Sequence, residues 1–100
     1  MRRIRWSPAA AADLQNIRDY LEAHHPSFTE ATVRRLYNAA GSLKRMADRG
    51  RPGQKEGTRE LVMAPLPYII VYGVERDIVH ISASFTLLKN GRAANASFKK

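Results

Sequence analysis

A basic loop punctuated by glycine is the segment of this sequence whose residue types are best suited to contact an anion. The loop reads Gly50-Arg51-Pro52-Gly53-Gln54-Lys55-Glu56-Gly57. Its glycines let backbone N–H groups approach a phosphate, and Arg51 and Lys55 add positive charge. The loop lacks the G-x-G-x-x-G and Gly-Lys-Ser/Thr patterns of nucleotide-binding loops, and it follows a predicted helix where a phosphate loop follows a strand. A turn-rich connector therefore remains open as the alternative to an anion site.

Residue types that bind metals or form disulfides are sparse. The sequence has no cysteine, which excludes disulfides and thiolate zinc sites. His24 and His25 are adjacent, but no further ligand type follows at the spacing of a metal site, so they are predicted to be exposed polar residues at a helix end. We predict no metal and no cofactor.

The charge of the chain indicates what it could bind. The formal net charge is +8, from 17 Lys and Arg against 9 Asp and Glu in 100 residues, a length that makes one domain. A small basic domain attracts nucleic acid or an acidic protein segment, with a solvated basic surface as the alternative. The longest apolar run, Tyr68 to Tyr72, is too short to span a membrane, and no secretion signal follows the first arginines. We predict a cytoplasmic protein with no membrane partner.

The N-terminal quarter predicts a strand and then a helix. Ile4 and Trp6 alternate with arginines from Arg2 to Trp6, as in a half-buried edge strand. Ser7-Pro8 has the residue types of a helix N-cap and first position. The helix is predicted to end near His24-His25-Pro26. Its apolar side is predicted to carry Leu14, Ile17 and Leu21, and its polar side Asp13, Arg18, Asp19 and Glu22.

The rest of the chain predicts a second helix and a sheet. The helix runs from about Thr29 to Asp48, and Gly41 within it predicts close packing against a neighbouring helix. Its apolar face is predicted to carry Val33, Leu36, Tyr37, Ala40, Leu43 and Met46. Three antiparallel strands follow, at Thr58 to Met63, Tyr68 to Val74 and Ile78 to about Phe85. The predicted fold is α+β: an N-terminal strand, an antiparallel two-helix hairpin, then a three-stranded antiparallel sheet on which the hairpin packs.

Four segments occur in the order and spacing of the RelE/ParE toxin superfamily, which this chain resembles over about residues 1 to 81. They read WSPAAAADLQNIRDYL, GRPG, GTREL and LPYIIVYGV. The resemblance implies the toxin of a type II toxin–antitoxin (plasmid stabilization) system, held inactive by an antitoxin that is encoded beside it. One branch of the superfamily cleaves mRNA on the ribosome, and the other poisons DNA gyrase.

The positions of the catalytic cations distinguish the two branches. In the mRNA-cleaving branch, lysines lie on the strand corresponding to Thr58 to Met63, and an arginine directly follows the tyrosine that matches Tyr68. This sequence has Glu60, Val62 and Ile69 there. A carboxylate and two aliphatic side chains cannot stabilise the charge that builds up in phosphoryl transfer. The resemblance therefore favours the ParE-like branch, with DNA gyrase as the target.

Two further function classes remain open. One is a RelE-like mRNA endoribonuclease (mRNA interferase) that uses Arg51, Lys55, Arg59 or Arg92 in place of the usual cations. The other is a non-toxic basic binding module. In the toxin classes the antitoxin is expected to be an acidic or helical segment that docks on the helical hairpin or the exposed strand and forms a hetero-oligomer. Its predicted contacts are Leu14, Ile17, Leu21 and Arg59.

The sequence departs from the resemblance after Ile81. We predict a toxin-like domain over residues 1–85 and a divergent, loosely ordered basic tail over residues 86–100. Codons permitted for Ile81 to Arg92, read two bases later, encode Gln-Arg-Val-Leu-His-Ala-Ala-Gln-Glu-Trp-Pro, which is a family-like ending. Our hypothesis is that a frameshift near Ile81 replaced the native C-terminus and weakened the toxin. The alternative is a naturally divergent tail whose alternating residues extend the last strand.

Overall fold

The computed structural model describes residues 2–87 and 93–95, with two α-helices and a mixed sheet. In chain order the elements are β1 (Arg3–Trp6), α1 (Pro8–His24), a short 3₁₀ helix (Pro26–Phe28), α2 (Thr29–Ser42), β2 (Arg51–Pro52), β3 (Thr58–Val62), β4 (Tyr68–Glu75), β5 (Ile78–Leu87) and β6 (Ala93–Asn95). The predicted α+β class is confirmed. In the described part of the chain, no helix has the length and hydropathy to cross a lipid bilayer.

Helix α1 begins and ends where the sequence predicts. The Ser7 hydroxyl accepts a hydrogen bond from the Ala10 N–H at 3.0 Å, and Pro8 occupies the first turn. At the other end the His25 N–H donates to the Leu21 carbonyl. The polar side of the helix was predicted wrongly in one respect, since Asp13 is fully buried. Its position four residues before the buried Ile17 places it on the inner face of the helix.

Helix α2 ends at Ser42, six residues before the predicted end at Asp48. Beyond Gly41 the backbone tightens, because the N–H groups of Leu43 and Lys44 donate to carbonyls three residues earlier. Glycine and serine have low helix propensity, and the turns carry the next apolar residues into the core. The predicted apolar face is also wrong at two positions, since Tyr37 and Met46 are exposed.

Among the described residues the sheet has six strands, where an N-terminal strand and a three-stranded sheet were predicted. Their order is β1-β5-β4-β3-β2, with β6 paired to β5 beyond this path. The predicted antiparallel pairs β3–β4 and β4–β5 are present. The predicted edge strand β1 is parallel to β5, with Arg3 opposite Ile78 and Trp6 opposite Ile81. This pairing joins segments too far apart in the sequence for a local pattern to reveal it.

The core lies between the helices and one face of the sheet. Ile17 of α1 and Leu36 of α2 pack in one cluster with Ile70, Tyr72 and further residues of β3, β4 and β5. Strand β4 is central and almost wholly buried from Tyr68 to Tyr72, as its apolar run predicts. The strand β5 reaches Leu87, two residues past its predicted end, and β6 lies within the tail that was predicted to be loosely ordered.

Candidate functional site

The Tyr72 side chain fixes the position of the glycine-rich loop. Tyr72 is fully buried in β4, and its hydroxyl donates to the Ala47 carbonyl at 2.6 Å and accepts from the Gly50 N–H at 3.0 Å. A Cβ atom at Gly50 would lie 2.7 Å from that hydroxyl oxygen, so the loop requires glycine there. The loop is therefore attached to the core at its first residue.

The backbone N–H groups of this loop are used within the chain. The Gly50 N–H binds Tyr72, and the Gly53 N–H donates to the Thr58 carbonyl at 2.8 Å. Gly57 adopts the left-handed backbone conformation, with φ +84°, that closes the turn into β3. Two of the three glycines thus cannot present their N–H groups to a phosphate, and the loop is a structured connector rather than an anion cradle.

Arg51, a predicted candidate for catalysis, is paired within the sheet. It lies opposite Glu60 in the β2–β3 register, and its Nε and Nη2 atoms are 3.0 and 2.9 Å from Glu60 Oε1. The Arg51 side chain is 55% exposed and that of Glu60 is 12% exposed. An ion pair this exposed contributes about 0–1 kcal/mol to stability. The pair also neutralises the arginine of the loop.

Arg59 also binds groups of its own chain. Its Nη1 atom donates to the Gly50 carbonyl at 2.7 Å and to the Asp48 carbonyl at 3.3 Å. The guanidinium therefore braces the segment that leads into β2. Lys55 is exposed in the loop, and Arg92 lies outside the described residues. The described candidates Arg51, Lys55 and Arg59 form no cluster of free cations around one point.

The face of the sheet that points away from the helices carries the three residues that distinguish the superfamily branches. Val62 and Ile69 are paired between β3 and β4, and Glu60 lies two residues earlier on the same face. Ile69 is only 1% exposed, Val62 is exposed, and Glu60 binds Arg51. None of the three positions provides a cation for a scissile phosphate.

The predicted antitoxin contacts do not form one surface. Ile17 and Leu21 are core residues that contribute only the wall of an apolar groove of about 730 Å³ at the end of the helical hairpin. The rim of that groove carries the exposed Tyr20 and Phe28. Leu14 lines a separate groove, and Arg59 lines neither. Sequence spacing alone did not show which side chains of the hairpin reach its surface.

The groove lined by Leu14 lies between the two helices and has a volume of about 480 Å³. It contains an ion pair between Arg18 Nη1 and Glu30 Oε2 at 2.8 Å. The hydrogen bond from Arg18, followed by its positive charge, lowers the pKa of the Glu30 carboxyl. The same two interactions raise the pKa of Arg18, so both groups are charged at neutral pH.

A third groove, of about 540 Å³, lies between α2 and β1. The stacked rings of Trp6 and Tyr37 separate it from the second groove, with centroids 6.0 Å apart and planes at 10°. The sequence pattern did not reveal this pair, because its helical spacing places Tyr37 on the buried face. Among the described residues, no group of three or more His, Cys, Asp or Glu side chains is arranged to hold a metal ion.

Known proteins with the same architecture identify the class. A toxin–antitoxin complex described as "Chromosomal ParDE TA system from P. aeruginosa" contains a chain that superimposes with a TM-score of 0.75 at 26% identity. The superposition covers 82% of this chain and 91% of that one. The fold, with its helical hairpin on a mixed sheet, is that of a small RelE/ParE-type toxin.

The sequence comparisons give the family. The family model for the ParE toxin of the type II toxin–antitoxin system parDE matches residues 4–83, and this chain belongs to that family. The protein is 41% identical over 81 residues to "Toxin RelE2" of Caulobacter vibrioides, which covers 81% of this chain and 90% of that protein. It is 40% identical over 77 residues to Y4kP of Sinorhizobium fredii, covering 77% and 80% of the two chains. The chain is thus a type II toxin with an antitoxin partner.

Proposed function

We propose that this toxin acts on DNA gyrase in the cytoplasm and that a cognate antitoxin encoded beside it neutralises it. The observation that carries the proposal is the sheet face with Glu60, Val62 and Ile69. An RNA-cleaving site needs preorganised positive charge where the phosphate becomes more anionic. The described residues of that face offer a carboxylate and aliphatic groups instead, while Arg51 and Arg59 are bound within the chain.

A supercoiling assay with purified protein tests the target. We expect the toxin to inhibit gyrase or to trap it as a cleaved DNA complex, and to leave a reporter mRNA intact in a translation extract. The purified toxin–antitoxin complex is the matched control and should do neither. Cleavage of the mRNA together with unaffected supercoiling would contradict the gyrase proposal.

A second candidate function is an mRNA interferase, because the relative at 41% identity is named RelE2. In that case Arg51 or Arg59 would have to release its bonds within the chain to reach the substrate. Lys55 is the candidate that needs the smallest rearrangement, because its side chain is exposed in the loop. If the Lys55→Met variant abolished cleavage of the reporter mRNA while the fold stayed intact, this second function would be supported.

The residues after Ile81 bear on whether the toxin is active. The family match ends at residue 83, close to the departure noted in the sequence. We propose that the changed C-terminus weakens toxicity. Toxicity is measured as growth after induction without antitoxin. This chain is compared with a version that carries the family-like ending from Ile81 onward. Equal growth arrest by both would contradict this proposal, and no arrest by either would favour the non-toxic binding module.

A further inference from the structure

The groove between α2 and β1 has an exposed aromatic wall. Tyr37 is 60% exposed although its ring stacks on Trp6. A large aromatic side chain that remains this exposed beside a concave surface is typical of a residue that anchors a partner. The outer side of Tyr37 is therefore available to a group from outside the chain.

Gly41 leaves open space in the same groove. It lies one helical turn after Tyr37, and a Cβ atom built at Gly41 would meet nothing within 4 Å. The predicted close packing against a neighbouring helix is therefore wrong. Glycine within a helix costs about 0.5–1 kcal/mol relative to alanine, and no contact with another described residue offsets that cost. A side chain of a partner that enters this space would account for a glycine that destabilises the free protein.

The rim of the groove is positively charged. Arg3 lines it from β1, and Arg2 lines it from the position before that strand. Lys44 lines it from the turn after α2. Within the described residues, none of the three has an ion-pair partner, in contrast to Arg18 and Arg51. The Nε atom of Arg2 is buried without a hydrogen-bond acceptor. The exposed charges of Arg3 and Lys44 are thus available to carboxylates of a second molecule.

We propose that the α2–β1 groove binds an acidic segment of the antitoxin, which places one apolar side chain over Gly41 and against Tyr37. Carboxylates on either side of that anchor would pair with Arg3 and Lys44. This inference rests on the antitoxin partnership of the proposed function and adds where the segment docks. Apolar lining around Ile4 and Trp6 favours an amino-acid side chain over a phosphodiester backbone.

The binding test uses the antitoxin encoded beside the toxin gene, titrated against purified toxin by calorimetry. Gly41→Leu projects a side chain into the groove from a Cβ position that has no described neighbour within 4 Å, and we expect it to raise Kd about tenfold or more. Asn38→Leu, also exposed on α2, is the matched control and should change Kd by less than about twofold. Circular dichroism before titration shows that both variants are folded.

Charge reversals test the rim independently. Lys44→Glu and Arg3→Glu should each raise Kd about fivefold and reduce its dependence on salt, because each removes one screened attraction. Arg35→Glu makes the same change in net charge on α2, at an exposed residue that lines none of the three grooves, and it should have the smaller effect.

The possible outcomes separate the two proposals. If wild-type toxin does not bind the antitoxin, the partnership itself is contradicted and this inference with it. If wild type binds but Gly41→Leu and Lys44→Glu behave like their controls, only the groove is contradicted. A labelled oligothymidylate serves as the nucleic-acid probe. If Gly41→Leu weakened binding of that probe but left antitoxin binding unchanged, the proposal that the groove binds an acidic polypeptide would be overturned.

Discussion

In the β2–β3 region the arginines donate to groups of their own chain, whereas the cations around the α2–β1 groove have no ion-pair partner among the described residues. Arg51 binds Glu60, and Arg59 binds two backbone carbonyls. Arg3 and Lys44 carry the same charge but line an open groove. The difference shows that the number of cations in a segment does not locate a binding site. A cation that its own chain has already paired stabilises the fold and is less available to a ligand.

The largest predicted effect comes from removing a hydroxyl group that holds the loop before β2 against the core. Tyr72→Phe leaves the Ala47 carbonyl and the Gly50 N–H buried without their partner. We expect a loss of about 3 kcal/mol in the free energy of unfolding, because each unsatisfied buried group costs about 1–3 kcal/mol. Urea denaturation measures it. Tyr20→Phe, at an exposed tyrosine, is the control, and equal stability of the two variants would contradict the proposed role of the Tyr72 hydroxyl.

Replacing Arg59 tests whether its charge is structural. Arg59→Met keeps the length of the side chain but removes its bonds to the Gly50 and Asp48 carbonyls. The expected loss is about 1–2 kcal/mol, since the site is only partly buried. Lys55→Met changes the same charge in the neighbouring loop and should cost less than about 0.5 kcal/mol. Equal losses would mean that the two cations do not differ in structural role.

Gly41→Ala tests whether the space in the α2–β1 groove is unused within the free toxin, which this substitution is expected to stabilise. The added methyl group meets no atom of the described residues within 4 Å, so we expect a gain of about 0.5–1 kcal/mol from helix propensity. For a domain of this size that corresponds to a rise of about 2–8 °C in Tm. Gly57→Ala should be destabilising instead, because φ is +84° there. A lower Tm for Gly41→Ala would show that the space is used within the chain.

The smallest effect concerns the groove between the helices, where Arg18 lies beside Glu30. The pKa of Glu30 is lowered in the folded protein, so its contribution to stability is present above the unfolded pKa and is lost as pH falls through the folded pKa. Stability measured between about pH 6 and pH 3 should therefore fall less in Arg18→Gln than in the wild type. Parallel curves for the two proteins would argue against this coupling.

Local signals predicted the parts of the fold that depend on neighbouring residues. The cap at Ser7, the end of α1 and the central strand from Tyr68 follow from residue types within a few positions. The parallel pairing of β1 with β5 joins residues about 75 positions apart, and no short pattern encodes it. The end of α2 was predicted wrongly because Leu43 continues the helical spacing although it reaches the core through a turn.

The candidate site was less predictable than the fold. The sequence identified the superfamily and the missing cations at Glu60, Val62 and Ile69, and both depend only on residue identity at aligned positions. It did not reveal that Arg51 and Arg59 are bound within the chain, because those partners depend on the register of the sheet. The groove beside Gly41 was hidden for the same reason, since open space is a property of the folded surface.

The parallel pairing of β1 with β5 also sets an order of events during synthesis. Arg3 to Trp6 leave the ribosome about 75 residues before the strand they pair with, which begins at Ile78. The wall that β1 gives to the groove with Tyr37 is therefore in place only after the residues of β5 that pair with it have been synthesised. An antitoxin segment that requires that wall would recognise the finished toxin and ignore the nascent chain.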